Sequence, residues 1–249
     1  MTLITDSSAK SDRNWRIDTK RSEIDHIIDR ALEFSTNRGF VFPHFAYYTA
    51  EDWQKLNKNS QEIIDNMLGW DVTDFGEGNF SRRGLVSFTF RNGNYEHPDL
   101  YPKPYCEKLF VIEDGQELPY HFHRKKMEDI INRGGKTMEI TVYKADADEK
   151  LDKQKPVTYV SDGERFTVPA GSVIQLPPGR SATMTQGTYH QWKGVPGTGR
   201  ILLFEVSSTN NDKTDNRFLE DIPRLISVEE DTPRQHLLFN DYGEIKLKG

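Results

Sequence analysis

Between Leu85 and Ser207 the chain carries one short apolar run after another, and no long helical period interrupts them. Leu85-Val-Ser-Phe-Thr-Phe90 alternates and ends at Asn92-Gly93, a hairpin signal. Lys108-Leu-Phe-Val-Ile112 runs into Asp114-Gly115, a second such signal. Further strands are predicted at Met138–Tyr143, Val157–Val160, Ser172–Leu176, Ser181–Thr185 and Arg200–Ser207, each bounded by Gly, Pro or Asp-Gly. Many short antiparallel strands with regular turns fold as a sandwich or a barrel, and closure protects their edges from pairing with other chains. The fold class is therefore mainly β.

The flanks read differently. Ile24, Ile27, Ile28, Ala31 and Leu32 recur at helical spacing, and Asn37-Arg38-Gly39 supplies a stop. After a Pro-rich aromatic crossing from Phe40 to Tyr48, Thr49-Ala-Glu-Asp reads as a helix start. Ser60 is expected to cap another short helix ending near Gly69. A helical region of about 20–70 thus leads into a β region of about 75–249, and with no low-complexity linker between them 20–249 reads as one domain. The tail from Asn216, punctuated by Pro223 and Pro233, is expected to wrap back over the barrel. Residues 1–19 read as a polar leader with a vector-derived opening and are set aside from fold reasoning.

Composition excludes several function classes. The net charge of −6 and scattered basic residues argue against a nucleic-acid partner, which needs a basic face. Cys106 is the single cysteine, so no intrachain disulfide can form and a reducing cytoplasm is the natural home. The longest apolar stretch, Ile201-Leu-Leu-Phe204, is far too short to span a bilayer, so no membrane partner is expected.

The chemistry-bearing spacing lies between Gly115 and Gly135, which enclose His121, His123 and Glu128 as G-x5-H-x-H-x4-E-x6-G. On a strand, residues two apart leave the same face, so His121 and His123 both point into a barrel. Glu128 has the opposite parity, and a turn or bulge must bring it round. Two imidazoles and a carboxylate suit Mn, Fe, Co, Ni or Zn, and the hard oxygen leans toward Mn or Fe. His190, in Gly187-Thr-Tyr-His-Gln-Trp192, is the best-placed fourth ligand. His26, His44 and His97 read as structural or exposed, whereas His236 lies in a tail that could cover the barrel mouth.

This block fits the first cupin signature at every position, both flanking glycines included. The second signature places a His three residues after Pro-x-Gly; here that offset holds Ile174 or Ala182, so His190 must be reached by a longer excursion. The segments Lys20-Arg-Ser-Glu-Ile-Asp-His-Ile-Ile, Phe45-Ala-Tyr-Tyr-Thr49, Glu128-Asp-Ile-Ile-Asn-Arg-Gly-Gly135 and Phe218-Leu-Glu-Asp-Ile222 together resemble the D-lyxose ketol-isomerase family, from about Lys20 to the C-terminus.

That resemblance implies a cupin barrel with an N-terminal helical extension and a homodimer. It implies one divalent metal, Mn(II) first and Zn, Co or Fe after it, serving the interconversion of D-lyxose with D-xylulose and more slowly of D-mannose with D-fructose. Four protein ligands on an octahedral ion leave two positions to chelate a carbonyl and its neighbouring hydroxyl. A proton shuttle is then needed near C1 and C2. Strand parity favours Lys125 for it, whereas the resemblance favours Lys126, together with Glu220. Arg234 is a candidate for sugar hydroxyls, Glu205 a candidate inward-facing carboxylate and substitute base, and Trp192, Tyr47 and Tyr48 candidates to stack on a sugar face. A phosphosugar would need a cationic cluster beyond the metal shell, so a free sugar is expected. Two rival readings keep the metal: an Fe(II) dioxygenase and a non-catalytic sugar-binding cupin.

Overall fold

Leu109–Ile112 and Ile201–Phe204 are apolar at every position, and strands of that kind need cover on both faces. The computed structural model, which describes residues 19–248, shows what supplies it. The chain runs β1 (Thr19–Lys20), α1 (Arg21–Thr36), α2 (Ala50–Lys55), α3 (Gln61–Asp65), β2 (Gly69–Thr73), β3 (Leu85–Arg91), β4 (Tyr105–Ile112), β5 (Glu117–His123) and β6 (Glu128–Gly135). It continues as β7 (Met138–Ala145), β8 (Leu151–Asp152), β9 (Val157–Ser161), β10 (Glu164–Val168), β11 (Val173–Leu176) and β12 (Ser181–Met184). Last come β13 (Thr188–Gly194), β14 (Ile201–Ser208), β15 (Asn216–Phe218) and β16 (Val228–Glu229), then a short 3-10 helix at Phe239–Glu244.

One sheet has the order β10-β9-β12-β6-β14-β4-β3-β2 and the other β11-β7-β13-β5-β15, with β8 beside β7. Phe110, Ile112, Ile130 and Leu203 of the first meet Leu118, Ile140, Val142 and Trp192 of the second in the barrel core. Side chains of the other parity, among them Leu109, Val111, Val86, Phe88 and Leu202, face outward under Ile24, Ile28 and Phe34 of α1. The helix therefore covers the outer face of the first sheet. Ile24 and Ile28 are fully buried there, each worth about 1.5–3 kcal/mol. Gly39, at φ +78°, ends the helical turn where the stop was expected. The fold is a cupin barrel with an N-terminal helical extension, as the sequence indicated.

Several local expectations need correction. The Asn92-Gly93 pair makes no tight hairpin, because the 92–104 segment separates β3 from β4 and Asn92 is buried, its side chain bonded to the carbonyls of Asn66 and Asn210. Asp114-Gly115 joins strands of different sheets, and the Asp114 carboxylate accepts the N–H groups of Gly197, Thr198 and Gly199. Thr49 does form a capping box with Asp52, but Ser60 makes no capping hydrogen bond and the helix after it ends at Asp65. Gly69 and Trp70 belong to a strand. Of the leader, only Thr19 lies among the described residues; it is buried and pairs with Val228. Among the described residues, no helix is long and apolar enough to cross a membrane.

Gly135 sits at φ +90°, and a Cβ there would fall 2.2 Å from the Arg200 carbonyl oxygen. Gly115, at φ +69°, has no atom nearer than Pro196 Cγ at 3.5 Å. Gly135→Ala should therefore lower the unfolding free energy by at least about 2 kcal/mol, and Gly115→Ala by about 1 kcal/mol. Urea denaturation checks both, and equal losses would contradict the steric account.

Candidate metal centre

Strands β5 and β13 pair antiparallel with His190 directly opposite His121, so the two imidazoles leave adjacent backbones on one face. Their ring centroids are 4.2 Å apart. His123 shares the face of His121, its ring centroid 5.1 Å away. After His123 the ladder stops for four residues, and β6 opens on Glu128, whose side chain turns inward. That bend resolves the parity conflict. One ligand atom from each of His121, His123, Glu128 and His190 lies within 4.8 Å of the others, and no side chain of the four is more than 5% exposed.

The chemistry of the donors fits a cation. The Nδ1 atoms of His121 and His190 each donate to a backbone carbonyl, Pro119 and Thr188, both at 2.9 Å. A neutral ring with its proton on Nδ1 offers only a lone pair at Nε2. His190 Nε2 nevertheless lies 3.0 Å from Glu128 Oε1, and His123 Nε2 lies 3.2 Å from Glu128 Oε2. With Nδ1–H of His190 committed to the Thr188 carbonyl, its Nε2 has no proton to give Glu128. The His190 and Glu128 lone pairs therefore face one another in a buried space and repel, and a divalent ion between them would turn that repulsion into coordination.

Electrostatics holds the set in ligating form. Burial and the neighbouring His190 and His123 keep His121 well below the usual imidazole range, and burial with Lys126 lowers His123. Burial opposes the charge on Glu128, but Lys126 and His123 outweigh it and hold its carboxyl well below the usual range. Burial likewise disfavours the Lys126 ammonium, yet Glu128, Glu205 and Asp212 raise it above the ordinary lysine range. Lys126 Nζ is 2.6 Å from Glu128 Oε2 and donates to Glu205 Oε1 at 2.8 Å. Ser207 also donates to Glu205 Oε1, at 2.9 Å.

Of the residues singled out from sequence, Lys126, Glu205 and Trp192 line the same cavity as His121, His123 and Glu128. Lys125 is exposed, so the parity argument gives way to the bend. Glu220 is not among the lining residues; it is half-exposed and held by Arg83 Nη1 at 3.1 Å. Arg234 lies in a separate surface cleft, bonded to Glu230 and Glu244: the tail lines the barrel cavity only at Asn216, Phe218 and Arg224, after which β16 pairs with β1 and draws it toward α1. The same path takes His236 to Asp29 of α1, at 2.9 Å. Tyr47 packs beside Phe42 and Tyr48 against Trp53, away from the cavity. Sequence reasoning missed Lys108, Asp212, Asn216 and Arg224, which complete the polar wall, and Phe75 and Phe218 of the apolar one. Lys108 carried a signal, a lysine at the inward parity of Phe110 and Ile112; Asp212 and Arg224 lie outside the strands and carried none.

A two-sheet barrel with four converging buried donors defines a cupin with a candidate metal centre. Residues 19–242 match the D-lyxose isomerase family. The chain is 41% identical over 224 residues to a D-lyxose/D-mannose isomerase of Serratia proteamaculans, covering 90% of this chain and 97% of that one. It is 40% identical over 228 residues to one from Escherichia coli O157:H7, covering 91% and 100%. The chain belongs to the D-lyxose isomerase family and is a sugar isomerase of that type. In fold it is similar to the L-ribose isomerase of Acinetobacter sp. DL28, with a TM-score of 0.57 at 15% identity over 86% of this chain and 99% of that one. The Geodermatophilus obscurus L-ribose isomerase gives 0.53 at 15% identity, over 86% and 100%.

Lys108 and Asp212 form a buried ion pair at 2.6 Å on the cavity wall. Burial disfavours the Asp212 carboxylate, but Lys108 and Arg224 outweigh it and hold its carboxyl below the usual range. The pair therefore stabilises the fold fully above the unfolded-state value of about 3.9, and that contribution is lost as pH falls below it. Asp212→Asn leaves Lys108 buried and unpaired and should cost about 3–5 kcal/mol at pH 7. The deficit should narrow by about 1.3 kcal/mol by pH 3, measured by urea unfolding of chelator-treated protein. A deficit unchanged between those conditions would contradict the assignment.

Proposed function

We propose that this chain is a metal-dependent aldose–ketose isomerase that converts D-lyxose to D-xylulose, and D-mannose to D-fructose, by proton transfer through an enediol. The observation that carries this reading is the position of Lys126, whose buried Nζ sits between Glu128 and Glu205 on the wall of the candidate metal cavity. The names borne by the relatives in Serratia and E. coli support the choice of sugars.

His121, His123, Glu128 and His190 would hold the ion, Mn(II) by preference and Zn, Co or Fe as alternatives. When bound it supplies Lewis-acid polarisation of a carbonyl and adjacent hydroxyl oxygen. Every other task falls to side chains. Glu205 is the base that removes the C2 proton of the open-chain aldose and returns it to C1, taking the role first given to Glu220. Held as ammonium, Lys126 moves the hydroxyl proton between O2 and O1 and fixes the Glu205 carboxylate through their 2.8 Å bond. Proton removal and return balance, so no redox partner is needed. Trp192 presents a buried Nε1–H without a partner, suited to a sugar oxygen.

Charge balance in the cavity supports a free sugar. Lys108, Lys126 and Arg224 are matched by Glu128, Glu205 and Asp212, and Arg224 also pairs with Asp71. Among the described residues lining the cavity, no cation is left over for a phosphate. A homodimer in the cytoplasm belongs to the same reading.

Chelator-stripped protein restored with Mn(II) should form ketose from D-lyxose and D-mannose, and in deuterated water the product should carry deuterium at C1 to the extent that the proton held on Glu205 exchanges with solvent before its return. Lys126→Gln and Glu205→Gln should each lower kcat by about 10²–10⁴-fold. Glu220→Gln should stay within about threefold, since its carboxylate is already engaged by Arg83. No ketose from either aldose with metal fully bound would sink the isomerase reading, and oxygen consumption with Fe(II) would replace it.

A further inference from the structure

The three histidines of the centre are not held alike. His121 and His190 each donate Nδ1–H to a backbone carbonyl, whereas His123 Nδ1 makes no hydrogen bond and faces Asp215 Oδ2 at 3.8 Å. Asp215 is only 2% exposed. It also captures three consecutive backbone N–H groups. Arg124 N donates to its carbonyl at 3.2 Å, Lys125 N to Oδ1 at 2.7 Å and Lys126 N to Oδ2 at 3.0 Å. These are the donors freed where the β5 ladder stops before β6, and buried donors of this kind need partners. The same bend brings Glu128 to the face of His123 and carries Lys126 into the cavity.

We propose that Asp215 is a positioning residue for the centre. Its buried carboxylate sets the bend that presents Lys126 and, when metal is bound, accepts the Nδ1–H of His123. This rests on the metal reading above. A 3.8 Å separation is too long for a hydrogen bond, and ring movement of about 1 Å toward Asp215 makes one. A carboxylate behind a ligating imidazole fixes the tautomer that turns Nε2 to the ion and raises its basicity, and losing such a partner lowers metal affinity or activity about 10–100-fold. One residue thereby couples a ligand to the proton-moving lysine. No sequence motif marks it, because Asp215 lies about 90 residues beyond the bend it holds.

Asp215→Asn keeps the size but replaces one acceptor oxygen with an NH2 group, which cannot accept an N–H. In variant protein whose circular dichroism matches the wild type, Mn(II) affinity by chelator competition should fall about 10–100-fold. At saturating Mn(II), kcat should fall about tenfold or more, while KM for D-lyxose shifts by less than about threefold. A structural role alone would not predict the second readout. In Zn(II)-loaded protein with 15N-labelled histidine, wild-type His123 should carry its proton on Nδ1 with the downfield shift of a carboxylate-bonded imidazole, and D215N should move that resonance and leave His121 and His190 in place. Unchanged Mn(II) affinity in folded D215N would overturn the proposal. If D215N does not fold, the wild-type spectrum decides, and a His123 without a protected Nδ1–H overturns it. Wild-type protein that binds neither Mn(II) nor Zn(II) defeats the metal reading itself; wild-type and D215N binding equally defeats only this inference.

Discussion

Glu128 carries a negative charge into a nearly fully buried position inside a β-barrel, where desolvation alone opposes it by several kcal/mol. Lys126 compensates from one side at 2.6 Å, and from the other the Nε2 atoms of His123 and His190 approach within 3.2 and 3.0 Å. The lysine explains why the carboxylate stays ionised. It does not explain why His190 Nε2, with its ring proton committed to the Thr188 carbonyl, sits 3.0 Å from that carboxylate, and a cation would. The cross-strand pairing of His190 with His121, the same-face placement of His123 and the bend before Glu128 all serve this one convergence.

The barrel makes that convergence rigid. Both sheets contribute to the core beneath the site, and α1 covers the outer face of the first sheet, so β4 and β14 are packed on both sides. Strands held in this way position side chains more closely than loops do. Lys108 on β4 and Glu205 on β14 are directly paired in register, which places the wall of the cavity on the best-packed part of the fold.

The sequence was most informative where local spacing equals spatial proximity. His121 and His123 are two apart on one strand, and the apolar runs at Leu109–Ile112 and Ile201–Phe204 announce buried strands, so the fold class and the first candidate ligands are legible. His190 stood out as the best-placed fourth candidate, yet what brings it to the other donors is a register contact with His121, 69 positions earlier, that no local pattern encodes. The errors share that origin. Asn92-Gly93 looked like a hairpin because composition cannot show that Asn92 is needed to bond Asn66 and Asn210. Arg234 and His236 looked like a cover for the barrel because nothing local reveals the pairing of β16 with β1. Glu220 lies away from the cavity, on Arg83, whereas the inward parity of Glu205 on a buried strand is a local pattern the sequence does carry.

The central claim is that one cation occupies the space between Glu128 and the three histidines. Diffraction from crystals soaked in Mn(II), with data collected at the manganese absorption edge, tests it most directly. The account predicts a single strong anomalous peak at about 2 Å from Nε2 of His121, His123 and His190 and from a Glu128 oxygen, with Lys126 still bonded to Glu205. A peak elsewhere, or none with Glu128 left between Lys126 and the two imidazoles, would contradict it.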